Sequence, residues 1–402
     1  MEENKIRSKS NENCPFRKSP FIDDQHAEYY DFQITDSRTW FKKLLNSIRF
    51  GWNSTLPDTL FEPNCTIPVV VLGQVYENDE NNRSNSKEAF KEKLKTIPWV
   101  TYRSHFRPIM TNSGKKFTSD SGWGCTIRVG QMMLLATLRK HFTYYYSPEE
   151  AEKHTHILKL IEENLISAPY SLHNILSLGD VGKSPGQWFS PSDIFSSLIK
   201  LLRITPVSNF IPILCLDYTI NKVEIYSEAC EVTKAYLSTV RNSKNSPKSS
   251  RLIWKNSVFL MIPLMLGYRN IEEKFLNALK FFLSIPYSTG IIVDKSGSAL
   301  YLIGFFGDMG IALDPHVVKK ANKNLLEFKS RVLESVCEHV VLVNLKELGP
   351  SVGVGFFVQG EQEFAEFIQA IVDNEQFVKG LLVIGDDRNQ GVGEEDGDYF
   401  VC

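Results

Sequence analysis

Apolar positions fall into two regimes along this chain. From Cys125 to about Phe142, the residues Ile127, Val129, Met132, Met133, Leu134, Leu135 and Leu138 occupy too many sides of a helix for a surface position. The pattern predicts a buried central helix there, and helices also fit 149–167, 191–203 and 271–283. After Pro286 the period shortens. TGIIV, SALYLIGFF and IALDPH are β-rich runs separated by the turn residues DKSG and GDMG, which reads as a meander. VVLVNL at 340–345 and VGVGFFV at 352–358 extend that sheet, and Phe364, Phe367, Ile368 and Ile371 then recur at helical spacing. Helices first and an antiparallel sheet afterwards define the α+β class.

Polar clusters interrupt the body. NDENNRSNSKE at 78–88 and RNSKNSPKSSR at 241–251 read as exposed loops. Residues 1–35 are polar and without period, and 376–402 are acidic and glycine-rich, so both ends read as disordered tails around one catalytic-size domain at 36–375.

Composition narrows the function classes. The 402 residues carry a net charge of −2, which gives no electrostatic footprint for nucleic acid or an anionic membrane surface. Seven scattered cysteines without a C-x-x-C pair argue against a disulfide framework or a zinc ribbon and fit a reducing compartment. No apolar stretch near the start resembles a signal peptide, and the longest run, VFLMIPLML at 258–266, is too short to span a bilayer. A soluble, cytoplasmic protein is expected. DVGKS at 180–184 imitates the end of a phosphate-binding loop, but Ser177 stands where its first glycine belongs and Pro185 spoils the following helix.

The candidate chemistry sits at SDSGWGCTIRVGQ, residues 119–131, where Cys125 follows a Gly-Trp-Gly turn and opens the central helix. A helix N-terminus favours a thiolate through its free N–H groups and dipole, and Gly122 and Gly124 let the backbone approach a substrate. The Cys125 N–H offers an oxyanion donor, and Ser119 or Asp120 can brace the turn. A lone cysteine at a helix start is more often a small buried hydrophobe, so a partner is required. Among eight histidines, His154 and His156 lie two apart on a helix and point to different faces, which disfavours a shared metal. His316 differs. In ALDPH, Asp314 and His316 project to the same side of extended backbone, so the carboxylate can fix the imidazole tautomer and favour an imidazolium. By itself D-P-H is also ordinary turn chemistry.

Taken together, SDSGWGC with Arg128 and Gln131, ALDPH, WVTYR at 99–103 and VGKSPGQWFSP at 181–191 resemble the autophagy-related protein 4 family of cysteine proteases. VVVLGQVY, LMIPLMLG, SALYLIGFF and GPSVGVGFF follow in the family's order, so the resemblance runs over roughly 65–373. It implies a papain-like fold with Cys125 as nucleophile, His316 as general base and acid, Asp314 as orienting carboxylate and Tyr102 as oxyanion donor. Trp188, with Pro263 on a loop, would cover the substrate entrance. The implied substrate is the glycine-ended tail of a ubiquitin-like autophagy-related protein 8 modifier, cut from a precursor or from phosphatidylethanolamine. No cofactor or metal is implied, and a monomer would meet membranes only through the lipidated substrate. Thr126, Ser190, Gly349 and the Val317–Val318 pair depart from the family pattern and bear on substrate fit. Two other readings stay open: a noncatalytic adaptor for the modifier, and a transglutaminase-like acyl transferase.

Overall fold

The structure, a computed structural model, describes residues 28–31, 54–55, 57–62, 65–145, 154–179, 181–232, 252–336 and 339–385. A hairpin of β1 (Val69–Val71) and β2 (Gln74–Tyr76) precedes helix α1 (Arg83–Lys95). Strands β3 (Tyr102–Met110) and β4 (Lys116–Ser119) lead into the turn before helix α2 (Cys125–Tyr145). Helices α3 (Leu172–Leu178) and α4 (Pro191–Ile204) follow, then β5 (Phe210–Leu214), β6 (Ser257–Met265) and helix α5 (Leu276–Ser284). The meander is β7 (Ser288–Asp294), β8 (Ala299–Phe306) and β9 (Met309–Leu313), followed by β10 (Val318–Lys320), β11 (Val340–Asn344), β12 (Ser351–Val358) and helix α6 (Glu361–Asp373).

The main sheet runs β11-β9-β8-β7-β12-β6-β5, with Ser54–Thr55 added to β11 and β1 added to β8. Every pairing in it is antiparallel except β5 beside β6. One face carries the core of α2 and α4, including Phe195, Phe259 and Tyr301; the other carries α5 and α6 on Leu260, Val354 and Phe356. Burial on both faces explains why VFLMIPLML and SVGVGFFV read as continuous apolar runs instead of alternating ones. This mixed architecture agrees with the papain-like α+β expectation.

Helix α2 is buried on every side from Cys125 to Leu138, held between the sheet and α4. Helix α4 starts where its chemistry says it should: Ser190 caps it, Asp193 returns the bond to the Ser190 N–H, and Pro191 fills the first turn. A second, three-stranded sheet, β10-β3-β4, stands beside the main one. Strand β10 runs parallel to β3 with Val318 opposite Tyr102, so the chain leaving β9 is brought alongside Tyr102.

Several expectations change. Of the helix expected at 149–167, the described residues form only His154–Lys159, because Glu162, Glu163 and Asn164 turn inward to bind buried partners. The polar run at 78–88 is a loop only to Asn82, after which α1 begins; its alternating charges coat an exposed helix face over buried Phe90 and Leu94. The segment 271–283 is helical from Leu276, after a short 3₁₀ turn at Glu273–Phe275. Order also reaches into both expected tails. Glu28 and Tyr30 exchange backbone hydrogen bonds of 2.9 Å with Ile166 and Asn164, and Val383–Gly385 pairs with Thr219–Asn221. A short helix also occupies Glu375–Val378; residues 1–27, 32–35 and 386–402 of those tails and the loop at 241–251 lie outside the described residues.

The α2–α4 contact gives a test of packing against propensity. A Cβ on Gly130 would stand 2.3 Å from Ile194 Cγ1. Alanine gains up to ~1 kcal/mol of helix propensity over glycine, whereas overpacking costs about 1–3 kcal/mol. Gly130→Ala is therefore expected to lower the urea midpoint with an unchanged m-value; a raised midpoint would show that propensity wins.

Candidate active site

The segment before α2 is wound tightly around Asp120. Its carbonyl accepts from Trp123 N at 3.2 Å and Gly124 N at 2.9 Å, and the Trp123 indole donates to Ser119 O at 3.1 Å. Gly122 has φ +88°, where a side chain would be strained. A Cβ on Gly124 would lie 2.7 Å from the Asp120 carboxylate, so only glycine fits. Gly124 O accepts the first helical bond, from Arg128 N at 3.0 Å, which leaves Cys125 in the first turn of a 21-residue helix with its N–H free of intrahelical bonding.

Asp314 and His316 follow the end of β9. One carboxylate oxygen of Asp314 accepts from the His316 backbone N–H at 2.8 Å and from its ring Nδ1 at 2.5 Å. That double anchor leaves Nε2 to face Cys125, whose sulfur lies within hydrogen-bonding reach of the ring. The carboxylate segment is itself tied down. Trp99 Nε1 donates to Asp314 O at 2.7 Å, and Tyr102 N donates to Pro315 O at 2.9 Å. The Tyr102 ring meets the His316 ring edge-on at 5.3 Å, with its hydroxyl in reach of the Cys125 sulfur and the Gly122 backbone.

The electrostatics follow from that arrangement. Cys125 has no exposed surface. Burial pushes its thiol up, but hydrogen bonds from His316 and the Ala299 backbone, the imidazole charge and the Tyr102 hydroxyl outweigh it and hold the pKa below the ordinary thiol value. For His316, burial opposes the charge, yet Asp314 and Cys125 raise the ring to about 9. The pair is thus poised as thiolate and imidazolium. Burial, with Cys125 and Asp120 nearby, raises the Tyr102 phenol far above its ordinary range, so it stays a donor. The Tyr102 hydroxyl and the Cys125 N–H, which has no intrahelical acceptor, are thus two donors close to the sulfur.

Cys125, His316, Asp314 and Tyr102 are therefore brought together. Trp188, 43% exposed, lies beside Gly297 in the turn joining β7 to β8, and two residues further on the Ala299 backbone reaches Cys125. Pro263 is not on a loop. It lies within β6 opposite Gly353, so the turn that meets Trp188 is 295–298, and the expected proline-bearing cover is corrected to that turn. The residues themselves read as a kink at a strand end, and the loop placement came from the resemblance; Pro263 is half-buried within the strand, beyond the last residue of β6 that pairs with β5. Trp99 and the Ala299 backbone were missed. A tryptophan three residues before Tyr102 offers an indole donor, which was the only sign in the sequence. Among the described residues, no three His, Cys, Asp or Glu side chains gather as a metal site.

Comparison with known proteins points the same way. The peptidase C54 catalytic domain model matches residues 87–370. The chain is 30% identical to cysteine protease ATG4B of Xenopus laevis over 329 residues, covering 78% of this chain and 82% of that protein. It is 30% identical to cysteine protease ATG4B of Gallus gallus, with 77% and 81% covered, and 30% identical to cysteine protease ATG4A of Homo sapiens, with 66% and 70% covered.

A pH profile checks the charged pair. Activity that needs the His316 imidazolium is lost as pH rises through about 9, so the alkaline limb of kcat/KM should fall there. Asp314→Asn removes a group that raises the ring's pKa, and the limb should move to lower pH. An unmoved limb would contradict the anchoring of His316 by Asp314.

Proposed function

The chain belongs to the peptidase C54 family of cysteine proteases, and from that premise we propose that it cuts ubiquitin-like autophagy-related protein 8 modifiers after a glycine. Two bonds are open to the same chemistry: the peptide bond of a precursor and the amide to phosphatidylethanolamine. The observation that carries the proposal is a helix-tip sulfur in reach of an imidazole whose other nitrogen is anchored by a carboxylate.

Cys125 attacks the glycine carbonyl carbon, and the carbonyl π electrons move to oxygen, where Tyr102 O–H and Cys125 N–H hold the negative charge. As the C–N bond breaks, the His316 imidazolium gives its proton to the leaving nitrogen and a thioester remains. Water then loses a proton to neutral His316 while its oxygen attacks the thioester. The sulfur departs as thiolate, which restores the ion pair. Asp314 keeps Nε2 aimed at these atoms throughout.

Access supports a slim substrate. Cys125 is fully covered, so an incoming chain has to displace its neighbours, the Trp188 indole beside Gly297 being the candidate cover, and a glycine-ended extended tail demands the smallest opening. No helix among the described residues is long and apolar enough to cross a membrane. The lipidated modifier would bring the enzyme to the bilayer, and the protein acts as a cytoplasmic monomer without a cofactor.

Incubation of a purified modifier precursor with the protein, followed by mass analysis, tests this. Wild type should release a glycine-ended product, and Cys125→Ala should bind the precursor without trimming it. Trimming by the variant at the wild-type rate would remove Cys125 from the mechanism, absence of trimming by either would favour an adaptor, and amine adducts would favour acyl transfer.

A further inference from the structure

Below the Cys125 turn lies a buried set of charges that the reaction itself does not use. Arg128, three residues after Cys125 on α2, is 1% exposed. Its Nε donates to Asp120 Oδ2 at 2.6 Å, and its Nη1 donates to Glu163 Oε1 at 2.5 Å and Gln131 Oε1 at 3.0 Å. Burial opposes the guanidinium charge, but Asp120 and Glu163 hold the proton firmly in place. Glu163 also accepts from Leu172 N at 3.0 Å and faces His173 Nδ1 at 3.4 Å.

Asp120 is the junction. Its Oδ1 accepts from Arg103 N at 2.6 Å, the residue directly after Tyr102, and its own N–H donates back to Arg103 O at 3.2 Å. Its backbone carbonyl holds the turn before Cys125, and its Oδ2 holds the helix through Arg128. One side chain thus touches the strand that carries Tyr102 and the helix that carries Cys125. Tyr102 and Cys125 come from separate elements, joined through the backbone by the Asp120 N–H to Arg103 O bond and the Ser104–Ser119 pairing, and the Asp120 side chain adds a second tie between them.

We propose that the Asp120–Arg128–Glu163 triad is a positioning device that sets Tyr102 in register with Cys125, so that the phenol meets the oxyanion. This rests on the reading of Cys125 as nucleophile and Tyr102 as oxyanion donor. Arg128 acts through its planar fork, which binds Asp120 and Glu163 at once; a lysine ammonium keeps the charge but not that geometry. A displacement of about 1 Å at a reacting group costs on the order of 100-fold in rate.

The test is a double-mutant cycle on the full chain, with a modifier precursor as substrate. Tyr102→Phe should lower kcat by roughly 100-fold or more, as loss of an oxyanion donor does. Arg128→Lys should lower kcat by about 10- to 100-fold with KM little changed. The alkylation rate of Cys125 by iodoacetamide should stay near wild type, because the imidazole that ionises it is anchored elsewhere. In the Tyr102→Phe background, Arg128→Lys should cost almost nothing further, which general loosening of the fold would not produce. If Arg128→Lys lacks a cooperative native melt, Glu163→Gln keeps shape and one acceptor and enters the same cycle. Independent, multiplicative losses, or a folded variant with wild-type kcat, would overturn the positioning role alone. A wild-type kcat in Tyr102→Phe would overturn the oxyanion reading and the proposal with it.

Discussion

A sulfur with no contact to solvent keeps a negative charge only if a positive one is held against it. For Cys125 that charge is the His316 ring, and the rest of the structure is arranged to keep the two side chains facing. Helix α2 carries its N-terminus into the protein because it is apolar all round, so the tip abuts the sheet instead of water. The meander then returns its third strand to the same place. Desolvation and pairing act against each other at both groups, and pairing prevails because each partner supplies both a hydrogen bond and a charge.

Support for that pair is graded in strength. Neutral bonds such as Trp99 to Asp314 O and Tyr102 N to Pro315 O stabilise by about 1 kcal/mol each, enough to orient a loop but not to dictate the fold. The charges around Arg128 are a different matter, since stripping one partner from a buried ion pair costs about 3–5 kcal/mol. Their residues join the turn and the helix that follows it to the distant segment 162–172. The small β10-β3-β4 sheet completes the frame by fixing the chain after His316 alongside Tyr102.

Much of this was legible in the residues. Helix α2 and the meander follow from the distribution of apolar residues, and the helix expected at 191–203 is α4. The D-P-H spacing named the Asp314–His316 contact, since a period of two puts both side chains on one side. Other features needed tertiary partners. Glu162, Glu163 and Asn164 look like a polar helix face, and only burial beside Arg103, Arg128 and Asn322 explains why they break the helix. Strand β6 hid as an apolar run with a proline, because burial on both faces erases alternation. Arg128 in the first turn of an otherwise apolar helix was the one visible sign of the charged cluster, for a buried guanidinium must have acceptors.

The ionisation state of Cys125 itself is the most direct measure of the central claim. Ultraviolet thiolate absorbance, taken as the difference between wild type and Cys125→Ala across pH, should show the thiolate formed below the ordinary thiol pKa of about 8.5. In His316→Ala the transition should move up past that value. A wild-type thiolate that appears only above the ordinary pKa, and at the same pH with or without His316, would contradict the account.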